Sequence, residues 1–239
     1  MSLPYFITDD PASGVLDGPE GRHAVTVKRI TVGESIALID GRGTVAEVEV
    51  RNTSGKDKLS GEVVELKKVP RPRPEVIVVQ AIPKSERAEL AVDLATQGGV
   101  DVIFPWISHR TIARWQGAKV AKNVEKWQST AREAAKQSRR AWIPKVHEPV
   151  TTNQLAELIQ GETALVLHEN ATKGIGEVDF DVDKLFLIVG PEGGIGEDEL
   201  ELLNAVKVKL GPEVLRTASA AFAGLSAIGA VSYTHLRAH

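Results

Sequence analysis

The chain is 239 residues long, has no cysteine and carries a formal net charge of −3, which excludes a disulfide framework, a thiolate metal centre and a cysteine nucleophile. Its start, Met1-Ser-Leu-Pro-Tyr-Phe6, lacks the basic and apolar regions of a signal peptide, and no apolar run approaches the roughly 18 residues of a membrane span, so the expected location is cytoplasmic and the sequons at Asn52 and Asn170 read as chance matches. The net charge hides an asymmetry: residues 109–145 hold ten Lys/Arg against Glu125 and Glu133, a local +8 that leaves −11 on the remainder, and such an imbalance predicts a basic surface for a polyanion.

Up to about Val69 the pattern is short and β-rich. Residues 35–40 and 45–51 read as strands around a tight Gly41-Arg-Gly43 turn, and alternation over 59–66 gives a third, which suggests a small barrel or sandwich. Val69-Pro-Arg-Pro-Arg-Pro74 follows. Proline removes amide donors and fixes φ, so this is an extended linker, and the domain boundary falls there, between residues 70 and 71.

Beyond it the pattern becomes β/α. Residues 75–82 form a β-branched run, as in a strand buried on both faces. Ser85 is expected to cap a helix reaching Gln97, stopped by Gly98-Gly99. A strand over 100–106 and a long basic helix over 118–140 come next, then a helix capped by Thr151 or Thr152 with Leu155, Leu158 and Ile159 on one face. Strands over 163–168 and 184–190, an acidic-start helix over 197–206 and a small-residue helix over 218–230 complete the chain. Strands alternating with helices predict a mostly parallel sheet covered on both sides.

The strongest local feature runs from Leu185 to Glu197: a buried strand, a turn with Gly190, Gly193, Gly194 and Gly196, then an acidic helix start. Ligands of parallel sheets bind at the carboxyl ends of strands, and glycines let backbone amides approach them closely. No P-loop, dinucleotide fingerprint or spaced histidine pair for zinc is found. Two further strand ends, Leu165-Val-Leu-His-Glu169 and Leu210-Gly-Pro-Glu-Val-Leu-Arg-Thr217, would complete a pocket without phosphate clamps, suited to a nucleoside-type ligand.

In order and spacing these loops resemble the RsmE family of ribosomal RNA uridine-N3 methyltransferases, of the SPOUT class. The resemblance covers about residues 5–230 and also includes His23-Ala-Val-Thr-Val-Lys-Arg29, Lys84-Ser-Glu-Arg87, Ser108-His-Arg-Thr111 and Glu133-Ala-Ala-Lys-Gln-Ser-Arg139 with Pro144. It implies an α/β SPOUT-type parallel sheet with a C-terminal trefoil knot, a PUA-like β-barrel over 1–70, a methyltransferase domain over 71–239, and a homodimer with shared active sites. It also implies S-adenosylmethionine as cofactor, held by Leu167, His168, Gly190, Glu192, Gly193, Gly194, Leu210, Gly211 and Leu215. The substrate implied is a uridine of 16S ribosomal RNA or the small subunit.

Methylating N3 requires loss of its proton, and a nearby cation stabilises the charge left on the base; Arg216 is the candidate. Arg22, Lys28, Arg29, Lys84, Arg87, Arg110, Arg139 and Arg140 are the candidate RNA contacts. The chain departs from the family at Leu3-Pro-Tyr-Phe6, where an arginine is usual, at Ala218, where a glutamate is usual, and over Ser232-Tyr-Thr-His-Leu-Arg-Ala-His239, which reads as a foreign tail. Two other readings stand beside this one: a SPOUT enzyme methylating a ribose 2′-hydroxyl, and an RNA-binding factor without catalysis.

Overall fold

The structure is a computed structural model that describes residues 3–236, with backbone alone at 85, 86 and 233–236. The chain divides into two compact units, Met1–Arg71 with Ala135–Ile143, and Pro72–Ala134 with Pro144–His239.

The first unit contains β1 (Tyr5–Ile7), β2 (Val15–Leu16), α1 (Gly18–Arg22), a π-helix (His23–Val27), β3 (Ser35–Ile39), β4 (Thr44–Ser54) and β5 (Lys58–Lys68). Its sheet has the order β1-β3-β4-β5-β2. Alternation on β4 turns Ala46, Val48 and Val50 inward, where they meet Phe6, Leu16, Ile36, Leu38 and Leu59. The Gly41–Gly43 turn has a positive φ at both glycines, and a Cβ on Gly43 would lie 2.6 Å from the Val69 carbonyl oxygen. Residues 135–143 fall within this unit and not with the rest of the methyltransferase domain expected over 71–239, because their side chains find partners here. The Trp142 indole donates to that same Val69 oxygen at 3.0 Å, Arg71 lies 4.5 Å over the Trp142 ring, and the Lys136 ammonium meets Glu20 at 2.6 Å.

The second unit holds β6 (Glu75–Ala81), α2 (Ser85–Gln97), β7 (Val102–Ile107), α3 (Ala118–Gln137, whose last turn belongs to the first unit), β8 (Lys145–Val146), β9 (Val150–Thr151) and α4 (Thr152–Leu158). It continues with β10 (Thr163–Leu167), β11 (Lys184–Val189), α5 (Glu197–Leu203), β12 (Val206–Val208) and α6 (Thr217–Leu236). The sheet runs β12-β10-β11-β6-β7-β8, with β9 also on β7, and every pairing is parallel. Both faces are buried, which is why β6 and β11 read as continuous apolar runs. Val76, Val78, Leu185 and Leu187 pack with α2, α3 and α6, and Ile77, Val79, Phe186 and Ile188 with α4 and α5.

Several boundaries differ from expectation. Lys84, not Ser85, occupies the cap position of α2. The basic helix stops at Gln137, because Arg139 adopts a left-handed φ of 56° while the Arg139 and Arg140 amides fold back onto the carbonyls of Lys136 and Ala135, a Schellman ending. Asn204, with φ 46°, ends α5 before Val206, which starts a strand instead of closing the helix. Thr151 caps α4 in a reciprocal capping box with Gln154; Leu155 and Ile159 are buried, but Leu158 faces solvent. The expected foreign tail continues α6 as far as Leu236, and its last three residues lie outside the described residues.

His147, just after β8, stacks on Phe104 with ring centroids 4.4 Å apart. Burial, with the Lys145 charge adding to it, holds its pKa below the usual 6.5. The unfolded chain therefore takes up this proton at a higher pH than the folded one. Stability from His147 is full above pH 6.5 and is lost as pH falls from there through the depressed folded value. Urea titrations from pH 7.5 to 5 are expected to show this loss, and the His147→Phe variant to show less of it; identical pH dependence in the two proteins refutes the assignment.

Candidate functional site

Parallel pairing puts the carboxyl ends of β11, β10 and β12 side by side on one edge of the sheet. Three loops leave from that edge: Leu167–His168 after β10, Gly190 to Gly194 after β11, and residues 209–216 between β12 and α6. The His168 amide donates to the Val208 carbonyl at 3.0 Å, tying two of them together, and His168 Nδ1 accepts from the Asn170 amide at 3.2 Å. The three strand-end motifs thus meet in space, as ligand loops of a parallel sheet do.

Within the glycine loop the glycines act differently. A Cβ on Gly190 would come within 2.7 Å of Ile195, so Gly190 is needed for close packing. Gly194 has φ 75° and closes a turn on Pro191 at 2.9 Å, and the nearest atom to a Cβ there is Arg110 Nη1 at 3.8 Å. Its requirement is therefore conformational and not one of crowding. Gly193 and Glu192 are exposed, and Arg110 Nη1 donates to the Gly193 carbonyl at 3.0 Å.

A buried carboxylate anchors the far end of this loop. Glu199, 1% exposed, accepts from the His109 amide at 3.0 Å, from the Thr152 hydroxyl at 2.6 Å and from the Gly196 amide at 3.4 Å. Thr152 in turn accepts from the Trp106 indole at 3.2 Å. The loop after β7 and the glycine loop are thereby held to one group. Sequence reasoning missed Glu199, although its place three residues after Gly196 in a helix start was a signal for a capping role. It also missed Gln80, buried on β6 opposite Val189, whose Oε1 has no hydrogen-bond partner among the described residues.

Arg216 is exposed and occupies the start of α6, where its carbonyl accepts from the Ser219 and Ala220 amides. Leu215 and Val214 beside it are exposed, Gly211 is open, and Leu210 is half-buried. The expected cationic residues divide between the two units. Arg22, Lys28, Arg29, Arg139 and Arg140 lie in the first unit, and Lys84, Arg87 and Arg110 in the second. The +8 stretch is not one solvated face: Lys136 is buried, Lys126 pairs with Glu89 at 2.9 Å, and Arg110 serves the glycine loop.

The chain matches the RNA methyltransferase domain over residues 70–229 and the RNA methyltransferase PUA domain over 16–64. It is 45% identical to Mycobacterium bovis ribosomal RNA small subunit methyltransferase E, over 95% of this chain and 89% of that protein. It is 32% identical to the Bacillus subtilis protein of the same name, over 89% and 88%. Among solved structures, a Legionella pneumophila protein in complex with the bound cofactor SAM superposes with a TM-score of 0.84 at 27% identity, covering 96% of this chain and 98% of that one. A parallel α/β unit with converging strand-end loops, joined to a PUA domain, therefore defines an RNA methyltransferase. Within that class, the chain belongs to the ribosomal RNA small subunit methyltransferase E family.

Proposed function

We propose that the chain transfers the methyl group of S-adenosylmethionine to N3 of a uridine in 16S ribosomal RNA, as a cytoplasmic homodimer of the SPOUT class with a C-terminal trefoil knot and a PUA-like barrel. The convergence of three loops on one sheet edge carries the reading. The residues there fit the cofactor. Gly211 leaves its backbone open to a ligand, Gly193 is exposed beside Arg110, and Leu210 and Leu215 offer apolar contact. Leu167, His168, Gly190, Glu192, Gly193, Gly194, Leu210, Gly211 and Leu215 would hold it, and when bound it supplies an electrophilic methyl on a sulfonium.

The protein's contribution is orientation, worth on the order of 7–11 kcal/mol when reacting groups are held in line, and control of charge. Arg216 supports a catalytic role. It lies at the amino end of a 20-residue helix, a position of positive potential, and its guanidinium has no carboxylate partner among the described residues. It would stabilise the N3-deprotonated base. Arg22, Lys28, Arg29, Lys84, Arg87, Arg110, Arg139 and Arg140 would contact RNA. No helix among the described residues is long and apolar enough to cross a membrane.

The test incubates full-length protein with 16S RNA or small subunits and isotopically labelled donor, and maps the product by mass. A single N3-methyluridine is expected. A ribose methyl would replace the reading with 2′-O transfer, and absence of donor binding would replace it with a non-catalytic RNA-binding factor. Sedimentation is expected to give twice the 25.7 kDa chain mass; a fully active monomer would remove the shared-site dimer.

A further inference from the structure

A cavity of about 160 Å³ lies wholly within the first unit, between β1, the π-helix and the end of α3. Tyr5, Phe6 and His23 supply aromatic surface, and Lys28, Lys136 and Arg139 supply charge. Phe6 is buried and meets His23 edge-on at 5.9 Å. Lys136, its side chain 3% exposed, is paired with Glu20 at 2.6 Å, and the other Glu20 oxygen accepts from the Ile7 amide on β1. The lining thus combines aromatic surface with three cationic side chains.

Its walls are built from unusual backbone. The π-helix closes with the Lys28 amide on the His23 carbonyl at 2.8 Å, which sets both residues on one wall; such turns are rare and concentrate at functional sites. Arg29 and Arg139 are two of the three non-glycine residues with positive φ among the described residues, and one lines the cavity while the other follows Lys28. At Arg139, the left-handed residue of the Schellman ending, glycine is the usual occupant. A local backbone requirement would be met better by glycine, so an arginine there points to its side chain.

We propose that this cavity receives one unpaired nucleotide of the substrate RNA, its base against Tyr5 and His23 and its phosphate toward Lys28 and Arg139. The inference rests on the functional reading above, which makes RNA the substrate. Unpaired bases splayed onto aromatic side chains are how proteins read RNA, and the volume is below that of pockets for larger ligands, roughly 300–1,000 Å³.

The experiment uses the full chain with folded 16S RNA and the variants Tyr5→Ala, Lys28→Ala and Arg139→Gly. Tyr5→Ala is expected to weaken RNA binding about ten-fold, the scale of one base–aromatic stack. Lys28→Ala is expected to lower the slope of log affinity against log salt by about 0.7, one phosphate contact on a single strand. Arg139→Gly is expected to weaken RNA binding without lowering the unfolding temperature, because glycine suits its backbone. Donor affinity by calorimetry stays unchanged in all three, and RNA carrying 4-thiouridine crosslinks near Tyr5 or His23. Wild-type RNA affinity and salt slope in all three variants, with normal methylation, overturn the nucleotide pocket alone. A wild-type protein that neither binds nor methylates RNA overturns the functional reading and the pocket with it.

Discussion

Replacing Gly194 with valine is expected to abolish donor binding while leaving the protein folded. At φ 75° the residue sits where an L side chain is strained, by about 1–2 kcal/mol, and a β-branched side chain is the least tolerant of that region. Crowding would not stop the substitution, since the nearest atom to a new Cβ lies 3.8 Å away. The loop would instead leave its turn on Pro191 and carry Gly193 with it, while the strands beneath, held by their own ladder, stay in place. Calorimetry is expected to show donor affinity reduced on the order of a hundred-fold or more, with little change in the urea midpoint. Gly193→Ala separates conformation from ligand approach. Gly193 has no positive φ, and a Cβ there meets Arg110 only at 3.5 Å, so lost donor affinity in that variant reports the ligand's own closeness. Unchanged affinity in both variants would remove this loop from the site.

Glu199→Leu is expected to have the largest effect on stability. Removing the carboxylate strips the acceptor from the His109 amide, the Thr152 hydroxyl and the Gly196 amide at once. Each buried donor left unpaired in this way costs about 1–3 kcal/mol, since donors already out of water find no replacement. Glu199→Gln keeps one acceptor oxygen and is expected to lose less than half as much. The urea midpoint of the second unit measures both. Because Glu199 joins the loop after β7 to the glycine loop, donor affinity is expected to fall in Glu199→Gln even at temperatures where the protein is fully folded. A Glu199→Leu protein as stable as the parent would show that the three hydrogen bonds contribute nothing net.

Local pattern was enough for much of the architecture. The apolar runs at 75–82 and 184–190 are strands in a sheet covered on both faces, which buries such runs, and the alternation over 45–51 marks one inward face. Glycine spacing singled out the candidate loop after β11, because the conformation of Gly194 and the close packing of Gly190 are properties of single residues. The order of motifs along the chain pointed to the family to which it belongs.

Partnership at long range was decided by the tertiary structure. Counting charges over 109–145 gave a basic segment, but a count carries no information on burial: Lys136 is enclosed with Glu20, 116 residues away in sequence, and Arg110 is turned onto Gly193. Nor does any local signal assign Ala135–Ile143 to the first unit, since that follows from Trp142 and Lys136 finding partners there. The adjacency of Leu167–His168, Gly190–Gly194 and residues 209–216 follows from the strand order β12-β10-β11. That order is set by which strand edges pair through backbone hydrogen bonds while helices cover the two faces. The sequence by itself determined the pieces, through periodicity and backbone preference; packing decided which pieces touch, because burial and hydrogen-bond satisfaction are properties of the assembled chain.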